Sequence, residues 1–324
     1  MTALSIVRWR GGARALLLAA VAAGTLAAGC AQPLGADPAA AAPDNLIVDG
    51  VRLHVELGGD GFTAGKDTLN GWIRRSAQIV AAYYGTFPVP EATIRVRPGD
   101  GTGVQGGSTY ADPDALIRVR VGREATEAQL RNDWVMVHEM THLALPDVGE
   151  EHAWLSEGLA TYVEGIARVQ AGNRTEEDVW GEELRQMPRG LPQPGDEGLD
   201  RTHTWARTYW GGAMFCLMAD VDIRRRTHGA KGLQDALRTI AHASGGLRAR
   251  WPIERVLRTG DAAVGTSSLE DLYAQMKTSA YSPDLAALWR ELGVEADGDT
   301  VRLTDAAPLA GVRHAIMTGN KDRS

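Results

Sequence analysis

The residues best suited to chemistry in this chain are consecutive: His138-Glu139-Met140-Thr141-His142. Side chains four apart on a helix lie one above the other, so the two imidazoles can bind a single metal ion. Glu139 stands between them in sequence, placed to take a proton from a water that the ion polarises. Two neutral nitrogen ligands, a carboxylate base and an open coordination position are what metal-assisted hydrolysis of a peptide bond needs. Taken alone, the pentapeptide also fits a surface helix with two solvated histidines.

The downstream sequence argues against that bland alternative. Twelve positions after His142 begins Trp154-Leu155-Ser156-Glu157-Gly158-Leu159-Ala160-Thr161-Tyr162-Val163-Glu164. A catalytic zinc site wants three protein ligands, and a carboxylate from a second helix can complete the set. Leu155, Leu159, Tyr162, Ile166 and Val169 form an apolar stripe, opposite a polar stripe of Glu157, Thr161, Glu164 and Arg168. Ala160, Val163 and Ala167 leave little of the circumference for solvent, so the spacing predicts a helix buried on most sides. A carboxylate on such a helix needs a partner, and a cation can serve.

HExxH followed by W-L-S-E-G-L-A-x-Y resembles the gluzincin metallopeptidases, in particular the aminopeptidase-N-like and glycyl-aminopeptidase-like branches. The resemblance covers roughly residues 115 to 230. It implies one zinc ion per chain held by His138, His142 and Glu157, with Glu139 as general base. The gap between His142 and Glu157 is a few residues shorter than in those branches, so the loop through Pro146 and Gly149 must turn tightly. The resemblance also implies that Tyr209, in Thr204-Trp205-Ala206-Arg207-Thr208-Tyr209-Trp210-Gly211-Gly212, donates its hydroxyl to the oxyanion; a core tyrosine is the alternative. Gly211 stands where the family carries Lys. Thr161 stands where some members carry an Asp that orients a histidine, leaving Glu164 as the better candidate for that work, with a solvated Glu as the alternative. The stretch Gly101 to Tyr110 lacks the amine-binding Glu of the aminopeptidases, so exopeptidase specificity does not carry over. The other six histidines stand in no ligand spacing.

Composition fits an exported enzyme. Arg8, Arg10 and Arg14 precede a short apolar run to Ala28, the pattern of a signal peptide over 1–29 and too short to favour a spanning helix. Gly29-Cys30 resembles the end of a bacterial lipobox, which implies a lipid anchor at Cys30 in the cell envelope; ordinary cleavage to a periplasmic or secreted form is the alternative. Residues 30–44 read as a tether. Loss of residues 1–29 removes three Arg and no acid, taking the formal charge from −7 to −10 and arguing against a nucleic-acid partner. Cys216 is the only other cysteine, so no intramolecular disulfide is expected.

The elements that must position these groups are an α+β arrangement: a small mixed sheet with the HExxH helix over 45–145, then a mostly helical lobe over 146–324. A hairpin turns at Asp49-Gly50, a helix covers 67–84, and a strand covers 92–97. The Gly-rich run after Pro98 lacks a phosphate-loop ending, so nucleotide binding is discarded. Ala115 to Val121 alternates as a half-buried edge strand, which in gluzincins lies along the cleft. Thr126 and Gln129 form a capping box expected to open the HExxH helix. After Trp154 the chain reads as nearly all helical. The expected function is zinc-dependent hydrolysis of a peptide or protein substrate. Two alternatives stay open: an inactive gluzincin-like binding protein of the cell envelope, and a zinc hydrolase of a non-peptide amide. Nothing in the chain fixes an oligomeric state.

Overall fold

The computed structural model describes residues 44–59 and 61–319. The export segment, Cys30 and nearly all of the tether lie outside the described residues. No described helix is long and apolar enough to cross a membrane. The protein is α+β, with a five-stranded mixed sheet and a chain that is mostly helical beyond it.

The hairpin forms as the Asp-Gly pair dictates. β1 (Asp44–Val48) and β2 (Val51–Leu57) pair antiparallel, and both Asp49 and Gly50 take positive φ, as the two central residues of a type I′ turn require. α1 (Gly65–Tyr84) crosses over to β3 (Glu91–Gly99), which lies parallel to β2. β4 (Val104–Tyr110) and β5 (Leu116–Gly122) complete the sheet in the order β1-β2-β3-β5-β4.

This order corrects one expectation. The 115–121 strand alternates as predicted, with Ile117, Val119 and Val121 buried and Arg118 and Arg120 exposed, but it is an interior strand. Alternation reports that one face is buried, not whether both neighbours are present. The edge is β4, whose Val-Gln-Gly-Gly-Ser-Thr-Tyr shows no apolar alternation and was legible only as a Gly-rich loop. Gly107 allows the approach of a helix: a Cβ there would stand 2.5 Å from Glu139 Cγ.

The capping box of Thr126 and Gln129 forms, but it opens α2 (Glu127–Arg131), one short helix earlier than expected. The HExxH helix is a separate element, α3 (Val135–His142), every residue of which is buried. Asp133 caps it instead, accepting from the backbone N–H of Val135 and Met136 at 3.0 Å each and from Trp72 Nε1 at 3.1 Å.

α4 (Ala153–Gln170) packs against α3 and α1 and is buried on most of its circumference, as its composition predicted. The chain continues through α5 (Glu176–Gln186), a π-helical turn over Arg207–Gly211, and α6 (Gly212–Arg226). It ends with α7 (Leu233–Ser244), α8 (Ile253–Val264), α9 (Ser268–Met276), α10 (Leu285–Leu292) and α11 (Ala310–Thr318). A short hairpin of β6 (Val294–Asp297) and β7 (Thr300–Leu303) is the strand pair within the nearly all-helical stretch expected after Trp154. The apolar core runs without a break from the sheet through these helices.

Candidate metal centre

Two helices and a π-turn build the centre. On α3, residues 138 and 142 fall on one face, which turns toward α4. His138 Nε2 stands 3.3 Å and His142 Nε2 3.6 Å from Glu157 Oε2. One ligand atom from each of the three lies within 4.8 Å of the others, and all three side chains are buried. The shortened loop allows this because it is pinned outside the site. Asp147 N–H donates to the Ala249 carbonyl and Trp251 N–H to the Asp147 carbonyl, while Gly149 takes φ +89°.

The donor chemistry fits a zinc ion. His142 Nδ1 is 2.9 Å from Ser156 Oγ; with the proton assigned to that nitrogen, Nε2 presents its lone pair to the centre. His142 Nε2 is buried without a hydrogen-bond partner among the described residues, and 3.6 Å to Glu157 is too long for one. Burial works against a charged Glu157, yet the facing imidazoles hold its carboxyl down at about 2, so it is a ready anionic ligand.

Glu139 lies beside the ligands and is fully buried. Thr109 donates to its Oε2 at 2.7 Å, and its Oε1 has no hydrogen-bond partner among the described residues. Burial raises its pKa against the pull of both imidazoles, which favours a group able to accept a proton and hand it on. Thr109 reaches it because β4 pairs Thr109 with Ile117, which pairs with Ile94. That row faces the core, toward the helices.

Tyr209 sits in the π-turn. Its ring stacks on His138 (centroids 6.2 Å, 12° between planes) and on Trp205, and its hydroxyl hydrogen-bonds Glu157. The turn is brought in by a glycine contact: a Cβ on Gly158 would lie 2.2 Å from the Gly212 carbonyl carbon, and one on Gly212 2.1 Å from the Trp154 oxygen. A Cβ on Gly211 would meet Arg207 and Leu199 at 3.1 and 3.2 Å, so the position that carries Lys in the gluzincins has little room here.

The five residues singled out in the sequence are therefore brought together. Glu164 is not part of the group. It pairs with Arg168 and Arg174, so the expectation that it orients a histidine is wrong. Seven residues beyond Glu157 on α4, its carboxylate meets guanidiniums and not an imidazole. Ser156 takes the orienting position, and Thr109 braces the carboxylate. Neither was legible, because both act through contacts made only after α3, α4 and β4 dock. Thr161 donates to the backbone carbonyl of Glu157.

No family model matches the chain, and no curated protein matches it. Solved structures do. An aminopeptidase N family protein from Idiomarina loihiensis superposes with a TM-score of 0.58 at 15% identity, covering 78% of this chain and 49% of that one. An M1 zinc metallopeptidase from Deinococcus radiodurans gives 0.50 at 16% identity, over 76% of this chain and 52% of that one. The chain thus spans about half the length of the solved structures it matches. At these identities the likeness is one of fold, and the fold is that of the M1 zinc metallopeptidases, in keeping with the gluzincin resemblance of the sequence.

Proposed function

We propose that the protein is a zinc-dependent peptidase. The observation that carries the reading is the buried convergence of His138, His142 and Glu157 beside a Glu139 carboxylate with one oxygen unpaired. His138, His142 and Glu157 would hold the ion. Zinc, when bound, supplies a Lewis acid that lowers the pKa of water to near neutrality. Glu139 takes the proton from the attacking water at Oε1 while Thr109 holds Oε2, and it then delivers that proton to the leaving amine. Tyr209 turns its hydroxyl from Glu157 to the oxyanion as negative charge develops there. β4 offers an open edge for the substrate backbone and no carboxylate to hold a free amino terminus, which supports cleavage of blocked peptides.

The test uses the full chain, its zinc content, and a library of acetylated peptides. We expect about one zinc per chain, loss of zinc in His138→Ala and His142→Ala, and hydrolysis that disappears in a zinc-loaded Glu139→Gln protein. Full zinc occupancy in either histidine variant would remove the metal assignment. Zinc without hydrolysis of any peptide would favour the binding-protein or non-peptide-amide alternatives.

A further inference from the structure

A cavity of about 310 Å³ opens beside His138 and Tyr209 and continues between α4 and α5. Trp134 and Trp210 contribute aromatic walls, and Glu164 and Glu183 line the part away from the metal ligands. Glu164 lies seven residues beyond Glu157 on α4, a rise of roughly 10 Å. That length suits a long unbranched side chain whose backbone is held at the metal.

The charges around the cavity do not balance by pairing. Arg168 Nη1 lies 3.4 Å from Glu164; Arg174 Nη1 lies 2.8 Å from Glu182 and 4.0 Å from Glu164. Two guanidiniums are thereby committed to two carboxylates. Glu183 is left over: it is 5% exposed, forms no ion pair among the described residues, and its Oε2 has no hydrogen-bond partner there. Arg189, the other cation of the lining, is exposed to solvent. A buried carboxyl without a partner is costly unless it is neutral or meets a donor, and burial pushes the Glu183 carboxyl well up.

We propose that this cavity is the specificity pocket for the residue beside the scissile bond, and that it takes a basic side chain, lysine or arginine, whose cationic head reaches Glu183. The inference rests on the peptidase reading above. The methylene stem lies along the aromatic walls, and the head supplies the charge and N–H donors that Glu183 lacks. An aliphatic side chain of equal length fills the same walls but leaves Glu183 unpaired. An acidic one meets Glu164, Glu182 and Glu183.

Binding to a zinc-loaded Glu139→Gln protein tests this without turnover. Acetylated hexapeptides differing only in a central lysine, arginine, norleucine, tyrosine or aspartate are titrated by calorimetry. The lysine and arginine peptides are expected to bind at least about tenfold tighter than norleucine, the lower end for one charged hydrogen-bonded contact in a pocket. Adding Glu183→Gln, which keeps shape and removes the charge, should cut that preference below about threefold while the norleucine affinity holds and the melting temperature does not fall. Glu183→Leu, read the same way, should abolish it. Equal binding of lysine and norleucine, preference for tyrosine, or a basic preference that survives Glu183→Gln would overturn the proposal and leave the peptidase reading standing. Failure of every peptide to bind would overturn both.

Discussion

Tyr209 and Ser156 both touch the proposed metal ligands, and they can be told apart by what each should cost. Tyr209 stacks on His138 with its ring and meets Glu157 with its hydroxyl, so Tyr209→Phe separates the two functions. We expect turnover to fall on the order of a hundredfold, the usual loss for one oxyanion donor, with the melting temperature nearly unchanged. Loss of stability with normal turnover would instead make Tyr209 a core residue. Ser156→Ala removes the partner of His142 Nδ1 and frees the ring to turn. Zinc affinity, measured by competition with a chelator, should drop roughly 10- to 100-fold while the three ligands remain. An unchanged zinc affinity would show that the imidazole is held by packing alone.

At the scale of elements, the centre depends on how closely α4 approaches the chain that leads into α6. Gly158 and Gly212 face each other with no space for a methyl group on either, and the neighbouring Glu157 and Tyr209 are set by that contact. Gly158→Ala therefore has to push two helices apart, and the added Cβ meets backbone, which cannot swing away as a side chain could. Overpacking of this kind costs typically 1–3 kcal/mol. A clear fall in melting temperature is expected, together with zinc binding weaker than in the parent. A variant as stable as the parent would mean that the helices are not held at this distance. Asp133 caps α3 from a half-buried position, where desolvation pushes its carboxyl up to about 6. The sequence pointed to a cap one helix upstream, since Thr126-Gln129 has the better local signature.

Across the whole molecule, buried carboxylates give stability a dependence on pH. Burial, opposed by Arg168 and Arg174, pushes the Glu164 carboxyl up to about 7, and the Glu183 carboxyl is raised well above its ordinary value. A raised folded-state pKa means that the native chain binds protons that the unfolded chain has released. Stability from this source is complete below about pH 4.5 and is lost as pH rises through 7. For Glu164 the shift corresponds to at most about 3 kcal/mol. The melting temperature of the parent should fall between pH 5 and pH 8, and the double variant Glu164→Gln, Glu183→Gln should show a smaller fall. Equal falls in the two proteins would remove these groups as the cause.

Local pattern sufficed to single out the three side chains that converge. Helical spacing put His138 and His142 on one face, and the composition of the second motif predicted a buried helix carrying Glu157. The Asp49-Gly50 hairpin, α1 and β3 were equally legible, because turn chemistry and periodicity act within a few residues of chain. Strand order, the break between α2 and α3, and the identity of the residues bracing the centre were decided only in the folded chain. Gly107 of β4 answers to Glu139 on a different element, and Ser156 meets His142 only once α3 and α4 have docked. Glu164 was misread for the same reason: a polar residue on a buried helix face needs a partner, but its position along the helix, seven residues past Glu157, delivers it to Arg168 and Arg174 and not to the histidines. Spacing along one helix is fixed by covalent geometry, whereas a contact between helices depends on the distance and rotation at which they pack, and that is set by residues such as Gly158 and Gly212 acting together.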